Sequence, residues 1–482
     1  MTGHRKRPPY TLSNINTSRL GKLKLRVKAS IDGAQTSLFF WPMVAVLIAI
    51  IGGILLTRLD EFLTEHERNM PTVLSTTVAS ARVMLATVAG ATISFAGTAF
   101  SVSLLVIQLA SSQYSPRVTS TLFRDPFNKR VMALVVGTFT YCLVVLRSVQ
   151  EQEDGDADLV PHISVALASV LGIISILAIV GFIDHAAHSM DISDLLERVS
   201  MEAIQQVQTL WTIDEPESDT CDDKSAHHNS NSNSDINSNS HVVRFRSTGW
   251  VQEINWQALE WLVEEDGCIQ LQTAPGRYAI LGVPICSISP CPTEEDDCEE
   301  LDNRVHDAIS IGRNRTNRDD AGYGLRQIVD VSLRALSPGI NDPTTAQDAI
   351  FHAAAVVLEF LRRRPPSSVR VTPSGGRLVL GEEHTYNSIV LLAYDEVRRC
   401  AASSPTVCVY LLESLRQIRE SLKAQGLEDR APEIERQAHL IEQGCLLSQQ
   451  VDADHQFIRQ ARIDRFPDSY AEVVKGQKSH EK

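Results

Sequence analysis

Four long apolar stretches interrupt an otherwise polar chain, and all of them lie within the first 185 residues. None contains a charged side chain, and each approaches the roughly 20 residues with which a helix crosses the hydrocarbon core of a bilayer. The stretches cover approximately Leu38–Leu56, Val83–Leu109, Val131–Leu146 and Ile163–Ile183. The pattern predicts a four-span transmembrane domain over residues 38–184, with the lipid bilayer as its surroundings.

The distribution of Lys and Arg predicts the orientation of these spans, because cytoplasmic flanks retain positive charge. Residues 1–37 carry eight Lys and Arg, and the connector after the second stretch carries four more. The connectors on the opposite side carry fewer. A basic segment of this length, without an evident cleavage site, also disfavours a signal peptide. We therefore expect a membrane protein with a basic cytosolic tail (1–37) and both termini in the cytoplasm.

The rest of the chain predicts a cytosolic α+β domain. Helical periodicity continues over 185–211 as a juxtamembrane helix, and the Asn/Ser-rich residues 212–241 predict a disordered linker. Short alternating segments with turn residues predict a small β unit over 242–315, in which "CIQLQT" and "RYAILGVPICSI" form a hairpin. From 316 to 465 the pattern predicts only helices, a helical bundle followed by a tail (466–482). The bundle helices are expected at 321–336, 343–363, 384–402, 406–423 and 432–465.

Charge and cysteine content narrow the chemistry of this domain. The net charge of −14 resides mostly after the fourth stretch and argues against a nucleic-acid partner. The predicted compartment implies free thiols. Cys286, Cys291 and Cys298 lack the close Cys pairs of a zinc knuckle, so the sequence predicts no metal here and no cofactor.

The stretch "RALSPGINDPTTAQDAI" predicts a tight corner between two antiparallel helices. Pro338 ends the first helix, Asp342 caps the second and Pro343 takes its first position. An alternative is that free N–H groups at this helix start, with nearby arginines, bind a small anionic ligand. The residues of that ligand-binding hypothesis are Arg313, Arg315, Arg326, Asp330, Arg334, Asn341, Asp342, Thr344 and Thr345.

The second stretch has a face of small residues. Small residues at this spacing let helices approach closely, and the same glycine and hydroxyl surface could line a pore. The face consists of Gly90, Ser94, Gly97, Thr98 and Ser101. The four stretches carry none of the charged groups that coupled transporters usually need, which argues against coupled transport.

Two groups at the membrane edges are weaker candidates. The first follows the second span and predicts headgroup anchors or an element coupling membrane and cytosolic parts: Gln113, Tyr114, Pro116 and Arg117. The second, at the end of the fourth span, consists of Asp184, His188 and Asp191, whose spacing on one helical face could hold a divalent ion. A solvated polar face is the alternative for that second group.

Several segments carry a family resemblance. They are "FAGTAFSVSLLVIQLASSQYSPRV", "GTFTYCLVVL", "IGRNRTNRDDAGYGLRQIVDVSLRALSPGINDPTTAQDAI" and "LLAYDEVRR". Together they resemble a bacterial predicted membrane protein family, domain of unknown function 2254, in order from about Phe39 to Arg465. The resemblance implies an inner-membrane protein with a cytosolic C-terminal domain and no defined activity. The Asn/Ser-rich insert and the acidic stretch around Cys298 depart from it.

Two hypotheses for function follow. The first is a passive channel or permeation protein, a homo-oligomer regulated by its cytosolic domain. The alternative is a membrane-anchored sensor or scaffold whose cytosolic domain binds a small anionic ligand or a protein partner. An enzyme is the least favoured class, because the chain contains no GxxxxGK[ST], HExxH or GxSxG motif.

Overall fold

The computed structural model describes residues 40–65, 77–113, 126–149, 160–188, 191–213, 240–291, 294–381, 384–430 and 432–467. The chain divides between Asp191 and Ile192 into two compact units, here the membrane unit and the C-terminal unit. The predicted basic tail lies outside the described residues. So do residues 214–239 of the predicted linker and 468–482 of the final tail.

The membrane unit consists of four long helices. Each is long and apolar enough to cross a membrane, which confirms the prediction of four candidate spans. Every helix extends beyond its apolar stretch, because helical structure continues where charged residues begin. The helices are α1 (Phe40–Glu65), α2 (Val78–Gln113), α3 (Pro126–Ser148) and α4 (His162–His188).

Glycines allow these helices to approach one another closely. A Cβ added at Gly53 of α1 would lie 2.7 Å from a methyl group of Val144 in α3. A Cβ at Gly172 of α4 would lie 3.0 Å from Val88 in α2. Leu85, Tyr141 and Phe182 are among the large side chains that fill the interior. Close packing at small residues is the usual way in which helices associate in lipid.

A buried carboxylate joins α1 to α4. Asp60 lies near the end of α1 and is only 2% exposed. Its Oδ1 accepts a hydrogen bond from the N–H of Ile163 at 3.1 Å, and its Oδ2 accepts from the N–H of Ser164 at 2.9 Å. The hydroxyl of Ser164 also donates to Oδ2, at 2.7 Å. Asp60 therefore caps the start of α4, where the first backbone donors have no partner inside the helix.

Asp60 shows that the first helix carries charge beyond its apolar stretch. It lies beyond the first apolar stretch, which ends at Leu56, but inside the candidate span Phe40–Leu63. A hydropathy pattern marks where apolar residues end, whereas the helix itself continues and carries Asp60 into the bundle.

Two sheets and a two-stranded pair form the β part of the C-terminal unit. The strands are β1 (Thr212–Ile213), β2 (His241–Arg244), β3 (Gly249–Ile254), β4 (Cys268–Leu271), β5 (Tyr278–Ala279), β6 (Pro284–Ser289), β7 (Ile309–Gly312), β8 (Arg363–Arg364), β9 (Val369–Val371) and β10 (Arg377–Val379). The larger sheet has the strand order β2-β6-β4-β10-β9, the smaller sheet has the order β5-β3-β7, and β1 pairs with β8.

The sheet agrees with the expected hairpin but extends further along the chain. β4 and β6 pair antiparallel, with Cys268 opposite Ser289 and Leu271 opposite Cys286. However, β10 pairs in parallel with β4, and β9 pairs with β10. These strands come from the region in which the pattern predicted only helices, because three residues are too few to show an alternation.

Helices complete the C-terminal unit, and most match their predicted positions. The expected last helix divides into two around Gln449–Val451, and acid-rich α7 was not predicted. The helices are α5 (Ile192–Leu210), α6 (Trp256–Glu260), α7 (Glu295–Ala308), α8 (Ala321–Ala335), α9 (Pro343–Arg362), α10 (Tyr386–Ala401), α11 (Pro405–Ala424), α12 (Pro432–Ser448) and α13 (Asp452–Arg465). Instead of extending as a separate stalk, α5 packs against α8 and α9.

Replacing Asp60 tests the link between α1 and α4. Asp60→Ala removes the acceptor of two backbone donors, and we expect it to lower the free energy of unfolding by about 1–2 kcal/mol. SDS-induced unfolding of the purified protein in mixed micelles measures this loss. Glu61→Gln is the matched control, since Glu61 pairs with the exposed Arg58, at 3.4 Å, and such surface pairs contribute little. Equal stability of the two variants would contradict the capping role.

Candidate functional site

The corner between α8 and α9 is built around Asp342. Its Oδ1 accepts hydrogen bonds from the N–H groups of Thr344 and Thr345, both at 3.1 Å. Its Oδ2 accepts from the Thr345 hydroxyl at 2.6 Å. The bond from the Thr345 hydroxyl, together with the backbone bonds, lowers the pKa of Asp342. Asn341, just before it, adopts the left-handed conformation with φ of 48° that closes the turn.

This geometry bears on the anion hypothesis. Two backbone N–H groups at the start of α9 already donate to the carboxylate of Asp342, and an external anion would need those same donors. Arg334, Asn341 and Thr344 are exposed beside it. The structure therefore gives the corner a complete structural role, and anion binding there stays a prediction.

The remaining predicted arginines lie elsewhere. Arg326 forms a two-point contact with Glu396 of α10, at 2.6 and 3.1 Å, and bonds to Asp330 at 2.9 Å. The hydrogen bond to Glu396 is the main cause that raises the pKa of Arg326. Arg313 and Arg315 precede α8, whereas the corner follows it. A helix of 15 residues separates its ends by about 22 Å, so the nine predicted residues do not converge on one site.

Arg315 instead belongs to a buried polar cluster with Asp320 and His384, the Asp320 cluster. Asp320 is 3% exposed. Arg315 donates from Nε to Oδ2 of Asp320 at 2.5 Å, and Nε2 of His384 lies 3.7 Å from Oδ1. The guanidinium of Arg315 also stacks on Trp250 and Tyr323, with centroid distances of 5.8 and 5.1 Å. The cluster joins the smaller sheet to the start of α8.

The electrostatics of the cluster favour an ionised carboxylate. Desolvation by burial opposes ionisation, but the interactions with His384 and Arg315 outweigh it, and the pKa of Asp320 lies below its ordinary value. Oδ1 has no hydrogen-bond partner among the residues that the structure describes. The cluster thus holds a buried negative oxygen with spare accepting capacity.

Two glycines enclose Asp320 and His384. Gly276 has a φ of 80°, and a Cβ there would collide with Oδ2 of Asp320. A Cβ at Gly322 would collide with Nε2 of His384. Sequence reasoning missed Asp320 and His384, although Asp320 and Gly322 belong to the segment "RDDAGYG" that carries part of the family resemblance.

The small-residue face of α2 points away from the interior of the membrane unit. Its members Gly90, Ser94, Gly97, Thr98 and Ser101 are all exposed. A Cβ added at Gly90 or Gly97 would meet nothing within 4 Å in the described part of the chain. The hydroxyls of Ser94 and Ser101 donate to carbonyls one turn earlier, at 2.8 and 3.0 Å. The buried side of α2 is a different stripe, formed by Ala81, Leu85, Ala89, Thr92, Ala96 and Ala99.

The two membrane-edge predictions fall largely outside the described residues. Tyr114, Pro116 and Arg117 are outside them, as is the side chain of Gln113. The side chain of His188 is also outside them, while Asp184 and Asp191 are exposed. Both groups stay predictions.

Within the residues that the structure describes, one group of three ligating side chains is close enough to hold a metal ion. His241, Cys291 and Cys298 present ligand atoms that all lie within 4.8 Å of one another. Cys286, the third cysteine considered from the sequence, is instead buried in the larger sheet. Sequence spacing missed the group because His241 is about 50 residues from the cysteines and reaches them only through strand pairing.

Comparison with known proteins places the chain in a family. A family described as a predicted membrane protein, domain of unknown function 2254, matches residues 35–417, and the chain belongs to this family. Uncharacterised proteins of Mycobacterium tuberculosis strain H37Rv and of Mycobacterium bovis are 28% identical to it over 410 residues. That alignment covers 82% of this chain and 74% of each relative. No solved structure matches the chain.

Paired glycine substitutions test the enclosure of Asp320. Gly276→Ala and Gly282→Ala both force an alanine into positive φ, at 80° and 84°, which costs about 1–2 kcal/mol. Only the Cβ at position 276 meets Asp320, so we expect Gly276→Ala to lose about 1–3 kcal/mol more, as overpacked positions do. Chemical unfolding of the full chain in detergent, followed by tryptophan fluorescence, measures the difference. Equal losses would show that Asp320 moves aside freely.

Proposed function

We propose that this protein is a homo-oligomer of the bacterial inner membrane that forms a passive permeation pathway between its copies and is regulated by a cytosolic C-terminal unit. The observation that carries the proposal is the outward position of the small-residue face of α2. Its five residues are exposed, while a separate stripe on the same helix packs within the chain.

The interior of a single membrane unit offers little room for a passage. Leu85, Tyr141 and Val145 belong to one buried apolar cluster of the bundle, and Val135 and Phe182 belong to another. Even the buried hydroxyls of Thr138 and Ser175 bond to each other, at 3.1 Å. Because side chains fill the interior of one bundle, we place the pathway between copies.

The chemistry of the α2 face suits contact with another copy. Gly90, Ser94 and Thr98 succeed one another at intervals of four residues, as do Gly97 and Ser101, the spacing at which helices in lipid pack closely. Ser94 and Ser101 donate their protons to their own helix, which leaves oxygen lone pairs available on the surface. Around an axis between copies, such a face presents glycine and hydroxyl surface to a permeant species.

The predicted orientation supports a cytosolic C-terminal unit. Eight Lys and Arg before α1, two between α2 and α3, and Lys129 and Arg130 at the start of α3 favour the cytoplasm for both segments. An even number of spans then returns the chain to the same side. We assign regulation to this unit because it is the larger of the two, and the family match extends into it, to residue 417.

Flux into liposomes tests the permeation pathway. We expect protein-dependent flux that Gly97→Leu changes severalfold. The stability of this variant should stay within about 0.5 kcal/mol, because position 97 is exposed and a Cβ there meets nothing within 4 Å in the described part of the chain. Ala96→Leu is the matched control, since it overpacks the buried stripe and should cost about 1–3 kcal/mol. Ser94→Cys should cross-link between copies. An absence of both flux and cross-linking from correctly oriented protein would contradict the proposal.

A second function, a membrane-anchored scaffold or sensor, is favoured by a different observation. The segment from β5 to β6 exposes four apolar side chains: Tyr278, Ile280, Leu281 and Val283 are 53%, 55%, 64% and 45% exposed. Gly282, with a φ of 84°, forms the turn between them. A contiguous exposed apolar patch of this kind is typical of a protein-binding surface. The small-anion form of this hypothesis depends on the exposed Arg334 and Thr344 at the corner.

A charge introduced into this exposed apolar patch tests the scaffold function. We expect Leu281→Asp to abolish co-purification of a stoichiometric protein partner from the native membrane, because burial of the charge would be unfavourable. Leu447→Asp is the control, since Leu447 is 88% exposed and lies on α12, outside the segment from β5 to β6. Retention of every co-purifying protein in the Leu281→Asp preparation would argue against this function.

A further inference from the structure

Strand pairing and one helix bring three metal-ligating side chains together at an end of the larger sheet. His241 is the first residue of β2 and lies opposite Ile288 of β6. Cys291 follows three residues after Ile288, just beyond the end of β6. Cys298 lies in the first turns of α7, which follows directly. Their ligand atoms all lie within 4.8 Å of one another, and each residue is partly exposed.

Several hydrogen bonds hold α7 over β2 and so fix this arrangement. Nε2 of His306 lies 2.9 Å from the backbone oxygen of Arg244 in β2. Nε2 of His241 lies 2.7 Å from Oδ1 of Asp302. Asp302 follows Cys298 by four residues, so both lie on the same face of α7. The three candidate ligands are therefore positioned by ordered strands and a helix.

We propose that His241, Cys291 and Cys298 bind a zinc ion. Zinc prefers thiolate sulfur at about 2.3 Å and imidazole nitrogen at about 2.0–2.1 Å in tetrahedral geometry. Those bond lengths place neighbouring ligand atoms about 3.6–3.8 Å apart, so separations of up to 4.8 Å need to contract by about 1 Å. Side-chain rotation at three partly exposed residues supplies a movement of that size.

Asp302 completes the arrangement as a positioning residue. Nε2 of His241 and Oδ1 of Asp302 lie 2.7 Å apart, so this contact stabilises the tautomer in which Nε2 donates to Asp302. In that tautomer the lone pair is on Nδ1, the atom that the proposal assigns to the metal. A carboxylate behind a histidine ligand is the usual way in which proteins fix the tautomer and orientation of such a ligand.

The ion would connect three segments that are distant along the chain. His241 follows the Asn/Ser-rich residues, Cys291 lies two residues after the end of β6, and Cys298 lies in the first turns of α7. Three protein ligands leave one tetrahedral position for water or another ligand. The inference is independent of the permeation pathway, since it concerns only residues of the C-terminal unit.

Metal analysis of the full-length protein in detergent tests the proposal directly. After incubation with Zn²⁺ and removal of excess ion, we expect one equivalent of zinc per chain. Cys298→Ser and His241→Asn should lower the affinity at least a hundredfold, and Asp302→Asn about 10–100-fold. Cys400→Ser is the matched control, because Cys400 is exposed on α10 of the same unit and lies outside the group.

A second measurement needs no variant and protects the test from a folding defect. Co²⁺ replacing zinc in the unmodified protein should give tetrahedral ligand-field bands and a thiolate charge-transfer band. Three results would overturn the proposal: no zinc retained, equal zinc in the Cys298→Ser and Cys400→Ser proteins, or a Cys291–Cys298 disulfide in protein protected from oxidation.

Discussion

Satisfying the backbone donors at the start of α4 is the constraint on which the membrane unit depends. Inside a bilayer little water is available to bond an unpaired N–H group, so an acceptor for the first donors of a helix stabilises the bundle. Asp60 supplies both acceptors from the end of α1, and Tyr141 of α3 donates to the carbonyl of Ser164 at 3.1 Å. Three of the four helices therefore meet at one residue pair, Asp60 and Ser164, and the glycine contacts set how closely they approach.

Carboxylates have the same role in the C-terminal unit, which explains why the predicted ligand residues do not form one site. Asp342 accepts hydrogen bonds from the backbone N–H groups at the start of α9. Arg326 forms ion pairs with Asp330 and Glu396, and Arg315 forms one with Asp320. The sequence presents these residues as a group of charges near a corner, but the fold pairs most of them internally. Arg334, Asn341 and Thr344 stay exposed, and the corner's capacity for a ligand depends on them.

Much of this fold could be predicted from local sequence, and the failures have physical causes. The spans follow from apolar length, and the cap at Asp342 from the Asn-Asp-Pro sequence before a helical pattern. β9 and β10 could not be predicted, because each is only three residues long, and β10 joins the sheet by pairing with the distant β4 while β9 pairs with β10. His241 could not be grouped with Cys291 and Cys298 for a similar reason. Their proximity depends on the register of β2 against β6, and register is set by tertiary packing.

The small-residue face of α2 illustrates the opposite case, in which the sequence pattern is clear and the fold decides its meaning. The same glycines and hydroxyls could have packed against α3 or α4, and the face would then have no further role. Instead, a separate stripe that includes Leu85, Ala89 and Ala96 makes the contacts within the bundle, and the glycine face stays exposed. Contact with lipid does not require glycine at positions 90 and 97, since lipid packs equally well against leucine. Close approach of a second helix backbone, however, requires small residues of this kind. This difference between the two faces of α2 is what supports the proposed contact between copies.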